Sequence, residues 1–179
     1  MKQIYVFLSK PNTFISSLIG LGTRSKLSHV SLSLNDKFDE MYSFARKGVR
    51  IFPAGFKREN IREAVFLKNS ERYCEVKSLF ITDEEYETLL KTLSEFCENE
   101  KYYKYSYLGA FLCWIRVKKK SKNDKKYFCS QFVSKILSEY LNIKIPYIPE
   151  LMRPKDILKI EKLIPYYNGT ICDLIEKAS

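Results

Sequence analysis

Apolar and polar positions follow two periods along this chain, and the switch between them predicts its elements. Residues 3–8 (QIYVFL) read as a strand. Residues 29–34 (HVSLSL) alternate strictly, the period of a strand. Asn35-Asp36-Lys37 is a turn signal, and residues 38–45 (FDEMYSFA) read as a second strand, so 29–45 forms a hairpin. Residues 63–68 and 73–81 are two further strand candidates. The period then becomes helical. Over 83–98, Tyr86, Leu89, Leu90, Leu93, Phe96 and Cys97 make one apolar stripe, with Thr82 as the cap and Asp83, Glu84 and Glu85 in the first turn. Residues 106–115 form a second helical stretch. Residues 128–141 form a third, burying Phe128, Phe132, Val133, Ile136, Leu137, Tyr140 and Leu141.

Shorter signals fill the gaps. Asn12 or Thr13 caps a short helix ending near Gly20 and Gly22. Pro146, Pro149 and Pro154 mark an extended stretch, and Pro154-Lys155-Asp156 opens a short helix. Asn168-Gly169 predicts a turn between residues 163–167 and 170–175. No repeat and no linker interrupts the pattern. The expectation is a single α+β domain over residues 1–179.

Composition narrows the chemistry. The chain is 45% hydrophobic and 15% aromatic, which excludes disorder for most of it. Five cysteines, an odd count with no Cys-x-x-Cys, exclude a disulfide scaffold and zinc-ribbon spacing. The one histidine, His29, excludes metal sites that need two His ligands from one chain. Neither a metal nor a cofactor is expected. No apolar run approaches the ~18–20 residues of a membrane span. The N-terminal apolar stretch is also too short for a signal peptide core, so the expected location is cytoplasmic, with free thiols. The net charge of +10 is uneven: residues 116–126 (RVKKKSKNDKK) alone carry a net of +6. That local basicity reads as a solvated loop, or as one that draws an anionic substrate or surface to Lys118, Lys119 and Lys120.

Two residues stand out as reactive candidates. On the predicted hairpin, Val30, Leu32 and Leu34 share one face, and His29, Ser31 and Ser33 share the other. A three-residue turn at 35–37 sets His29 opposite Ser43, with Asp39 and Met41 on the same polar face. A one-residue slip would swap these assignments. Cys129 falls in the first turn of the third helix, where unpaired N–H groups, the helix dipole and the lysines upstream favour a thiolate. The plain alternative is a buried core cysteine, as Cys74, Cys97, Cys113 and Cys172 are expected to be, Cys74 and Cys172 in strands. A helix-N-terminal thiol facing a strand imidazole is the layout of papain-like thiol hydrolases.

The segments "SHVSLSL", "EMYSFARKGV", "YFCSQFV" and "LMRPKDI" carry a family resemblance. Together they resemble the circularly permuted branch of the NlpC-type papain-like hydrolases. This branch includes the YiiX/YebB-like proteins and is related to the lecithin retinol acyltransferase group. The likeness covers about residues 3–157, with the His strand before the Cys helix. It implies a permuted papain-like fold, an antiparallel sheet packed against helices. It implies Cys129 as nucleophile, His29 as general base and Ser43 at the third polar position, with Asp39 or Glu40 as substitutes. Backbone N–H groups near Cys129 would bind the oxyanion. The expected activity is cysteine-dependent hydrolysis or acyl transfer on a peptide, amide or acyl ester. The competing reading is a non-catalytic basic domain that binds anionic polymer or lipid through residues 116–126.

Overall fold

In the computed structural model of the chain, the described residues are 1–10, 27–47, 53–118 and 125–178. The helix expected after Asn12 or Thr13 lies outside them, as do Lys119 and Lys120. The strands are β1 (Lys2–Ser9), β2 (His29–Ser33), β3 (Met41–Arg46), β4 (Ala54–Glu59), β5 (Tyr73–Ile81), β6 (Lys104–Tyr105), β7 (Lys126–Tyr127) and β8 (Ile164–Thr170). They form one sheet in the order β7-β6-β4-β3-β2-β1-β5-β8. Every neighbouring pair is antiparallel except β6 and β7. The helices among the described residues are α1 (Ala64–Leu67), α2 (Asp83–Glu98), α3 (Tyr107–Trp114), α4 (Cys129–Lys135), α5 (Pro154–Ile157) and α6 (Ile171–Lys177). None is long and apolar enough to cross a membrane.

The sheet is covered on both faces. Ile4, Val6 and Leu8 of β1 enter one apolar cluster, and Tyr5 and Phe7 enter another on the opposite side. A strand buried on both sides has no polar face to display, which explains the continuous apolar run of β1. The larger cluster lies between the sheet and α2, α4 and α5. At its centre Phe44 (β3), Phe56 (β4), Phe96 (α2) and Phe132 (α4) pack with ring centroids 5.1–6.3 Å apart. These rings lock α4 over β2 and β3, and so fix where its first residue, Cys129, can lie. Past Lys135 the helix widens into a π-helical turn, Ile136–Tyr140.

α2 matches the sequence expectation in its bounds and its cap. The Thr82 hydroxyl accepts from the Glu85 N–H, and the Glu85 carboxylate accepts from the Thr82 N–H. Replacing Thr82 with Ala should lower stability by about 1 kcal/mol, read as a fall in Tm of roughly 2–4 °C.

Three local expectations are overturned. Residues 63–68 are not a strand: α1 closes there through Phe66 and Leu67 N–H bonds to the Glu63 carbonyl, with only Phe66 buried. Asn168-Gly169 is not a turn. β5 is nine residues long, and β8 pairs along it with Asn168 opposite Glu75 and Gly169 opposite Cys74. Beyond β8 the chain turns into α6, not a strand, because the Thr170 hydroxyl accepts from the Asp173 N–H and caps a helix. Cys172 therefore sits on α6. The hairpin also differs. Its connection runs through a longer loop, in which Phe38 adopts a positive φ of 52° and accepts the Ile61 N–H. Phe38 joins the second cluster with Tyr5 and Phe7, not the face of Val30 and Leu32.

Candidate active site

The register of β2 and β3 pairs Leu32 with Tyr42 and Ser33 with Met41. That is two residues away from the expected pairing. A shift of two preserves faces, so His29, Ser31 and Ser43 still share one side while Tyr42 and Phe44 join Val30 and Leu32 in the main core. β4 then runs beside β3, with Glu59 opposite Met41. This places a carboxylate from a third strand in the polar row.

Glu59 is the centre of that row. It is 4% exposed. Its Oε2 atom receives the Ser31 hydroxyl at 2.6 Å, the Ser43 hydroxyl at 2.7 Å and His29 Nε2 at 3.0 Å. Ser31 Oγ also lies 3.1 Å from His29 Nε2. Because the one Ser31 proton points to Glu59, its oxygen can only accept from the ring, which assigns the hydrogen to Nε2. Nδ1 is then the nitrogen outside that pair, and the Cys129 thiol, at the start of α4, neighbours the ring.

The electrostatics follow from burial and pairing. Burial opposes charge on His29, but the Glu59 carboxylate and the hydrogen bonds to Cys129 and Glu59 overcome it and raise the imidazole to about 10. Burial likewise opposes charge on Glu59. The His29 charge and the hydrogen bonds from His29, Ser31 and Ser43 prevail and lower it to about 2. At neutral pH the pair is an imidazolium and a carboxylate in a nearly dry site.

The structure thus brings together His29, Cys129 and Ser43, but Ser43 reaches the ring only through Glu59. Asp39 and Glu40 are elsewhere: Asp39 accepts from the Asn35 amide at 2.8 Å, and Glu40 bonds Tyr42 and Arg58 at 2.5 and 3.0 Å. Glu59 is the residue that sequence reasoning missed. Nothing in AGFKRE over β4 marks that glutamate out, and only strand pairing brings it to His29.

An open cleft lies beside Cys129, with Leu27, Tyr105, Ala110, Trp114 and Phe128 among its mostly apolar walls. Burial and the neighbouring Cys129 hold the Tyr105 phenol well above its usual range, so it remains a neutral hydrogen-bond donor. Gly55 permits the strand pairing that places Tyr105, since a Cβ there would meet the Tyr103 carbonyl oxygen at 2.2 Å. α3 is anchored at its C-terminus by Arg116. That residue adopts φ 61° as the helix unwinds, and its guanidinium donates to the Leu151 carbonyl at 2.7 Å and to buried Asp156 at 2.8 Å. Arg153 donates to the carbonyls of Cys113 and Trp114 from the other side. The segment LMRPKDI therefore builds a wall of the cleft. Of the other cysteines, burial raises the thiols of Cys74 and Cys113 to about 12, where they are poor nucleophiles. No group of three or more His, Cys, Asp and Glu side chains among the described residues could hold a metal ion.

No protein-family model matches the chain, and no curated protein is significantly similar to it.

Proposed function

We propose that this protein is a cysteine-dependent acyl hydrolase or acyltransferase of permuted papain-like type, acting on amides or esters. The observation that carries this reading is the buried row of Glu59, His29 and Cys129. In it a carboxylate fixes one ring nitrogen of a histidine that neighbours a thiol at a helix start. Cys129 Sγ, as thiolate, attacks the carbonyl carbon of the substrate. The C–O double bond opens to an oxyanion. No side chain caps α4, whose N-cap residue is Phe128, and the first helical bond is made by the Phe132 N–H. The N–H groups of Cys129, Ser130 and Gln131 are thus the natural donors to that oxyanion, with Tyr105 as a side-chain donor. His29 then gives its Nδ1 proton to the leaving amine or alkoxide, and a thioester remains on Cys129. Water, losing its proton to His29, attacks the thioester, expels the thiolate and releases the acid. An alcohol or amine in place of water gives acyl transfer by the same steps.

The test is alkylation of the native protein with iodoacetamide at neutral pH, followed by mapping of the labelled cysteines. Cys129 is expected to react at least about tenfold faster than the other four, because it stands beside His29 at a helix start while burial holds the Cys74 and Cys113 thiols high. His29→Ala should remove that advantage. A p-nitrophenyl acyl ester should give a burst of one equivalent that Cys129→Ala abolishes. Equal labelling of all five thiols in the folded protein, with no burst, would overturn the reading.

A further inference from the structure

α3 has an unusual composition for a helix at the surface. From Tyr107 to Trp114 it reads YLGAFLCW, with no charged residue. Ala110 and Cys113 are buried, as one face of a surface helix should be. The opposite face is apolar as well. Leu108 is 53% exposed, Phe111 51% and Ile115 45%, at spacings of three and four that align them on one side of the helix. Val117 just beyond the helix is 48% exposed, and Tyr147 and Ile148 are each 39% exposed. Tyr147 lies against this region, with the Arg116 guanidinium 4.1 Å from its ring centre. A contiguous apolar ridge of this kind on a charged protein marks a docking surface.

Two further observations say what covers it. The first is charge. Lys118 is exposed at the end of the ridge, and Lys104 and Lys126, paired across β6 and β7 beside the start of α3, are exposed as well. An apolar helical face edged by lysines complements an anionic lipid surface, whose headgroups attract the cations while the side chains enter the acyl boundary. Nucleic acid would take the charges but leaves the aliphatic ridge in water. The second is continuity with the cleft. Ala110, Cys113 and Trp114 of the same helix line the cleft beside Cys129, and the Phe111 ring on the ridge contacts the Trp114 ring with centroids 5.9 Å apart. Lys155, also exposed, lies on the rim of the cleft.

We infer that α3 and the adjoining lysines dock this protein on an anionic phospholipid surface, with α3 as both the membrane-contacting helix and a wall of the cleft. On the functional reading above, the acyl group that reaches Cys129 is then the chain of a membrane-resident ester or amide. The docking itself needs no catalysis, so the two can fail separately.

The experiment is co-sedimentation of the full chain with vesicles of phosphatidylcholine, with or without phosphatidylserine. Wild type and Cys129→Ala should bind the phosphatidylserine vesicles equally and the neutral vesicles far more weakly. The triple variant Leu108→Glu, Phe111→Glu, Ile115→Glu should lose binding about tenfold or more, and Lys118→Glu about fivefold. Since these side chains are exposed, each variant should keep the Tm and the Cys129 alkylation rate of wild type. Equal binding to both vesicle types, or undiminished binding by the triple variant, would overturn the inference. So would a concentration-dependent dimer that the triple variant dissolves while vesicle binding stays unchanged. Binding to phosphatidylserine vesicles with no ester burst would leave the docking standing and sink the enzyme.

Discussion

Glu59→Ala is expected to lower stability by about 3–5 kcal/mol and to abolish turnover in the same stroke. The substitution strands a buried imidazole and two serine hydroxyls around an empty position, since Ser31, Ser43 and His29 all direct their hydrogen bonds to one carboxylate oxygen. For a chain of 179 residues that loss reads as a fall in Tm of roughly 6–20 °C. Glu59→Gln separates structure from chemistry. The amide keeps the shape and an oxygen acceptor but loses the charge that holds His29 protonated. The fold should survive, and the alkaline limb of the ester-turnover profile, set by loss of the imidazolium that protonates the leaving group, should move to lower pH. A residue that merely filled space would leave that profile in place.

The pair also sets a pH window for stability. His29 is raised from its ordinary 6.5 to about 10, so its contribution is complete below 6.5 and is lost as pH rises through about 10. Glu59 is lowered from 4.5 to about 2, so its contribution is complete above 4.5 and is lost as pH falls through about 2. The difference in Tm between wild type and Glu59→Gln should therefore be largest between pH 4.5 and 6.5 and shrink on both sides. A difference independent of pH would show that the pair carries no charge.

The second large effect is expected from Phe132→Ala, which should remove about 3–5 kcal/mol. Phe132 is fully buried and its ring meets Phe44, Phe56 and Phe96. Truncation opens a cavity where the sheet, α2 and α4 meet. The site feels it too, because Phe132 stands three residues from Cys129 on the same helix. Cys129 alkylation should lose its dependence on His29 as the helix start shifts. Phe132→Leu, which refills most of the volume, should cost less than half as much in stability and keep that dependence. Denaturant titration and thiol labelling of the same samples decide both points.

How much of this could be read from the chain depends on how local the physics is. α2 was legible to the residue, because its cap, its acidic first turn and its stripe all act within a few positions. β1 was legible as an apolar run and β5 as a strand over residues 73–81, and the start of α4 placed Cys129 where it stands. The faces of the β2–β3 pair were also legible, since a period of two survives a register shift of two. The register itself was not, because Phe38 turns away into the second cluster and lengthens the loop. Asn168-Gly169 misled for the same kind of reason: a strong local turn signal gave way to the hydrogen bonds offered along β5.

The sequence by itself determined the chemical inventory: one imidazole, one thiol at a helix start, a charge-free helix and a basic run beside it. Only the tertiary structure decided which groups meet. Glu59 lies thirty residues from His29, on a strand two places across the sheet, and no periodicity links them. Their meeting is set by strand order and by an aromatic core that holds α4 against the same strands. The low dielectric of that interior then turns three ordinary side chains into a charged, oriented row.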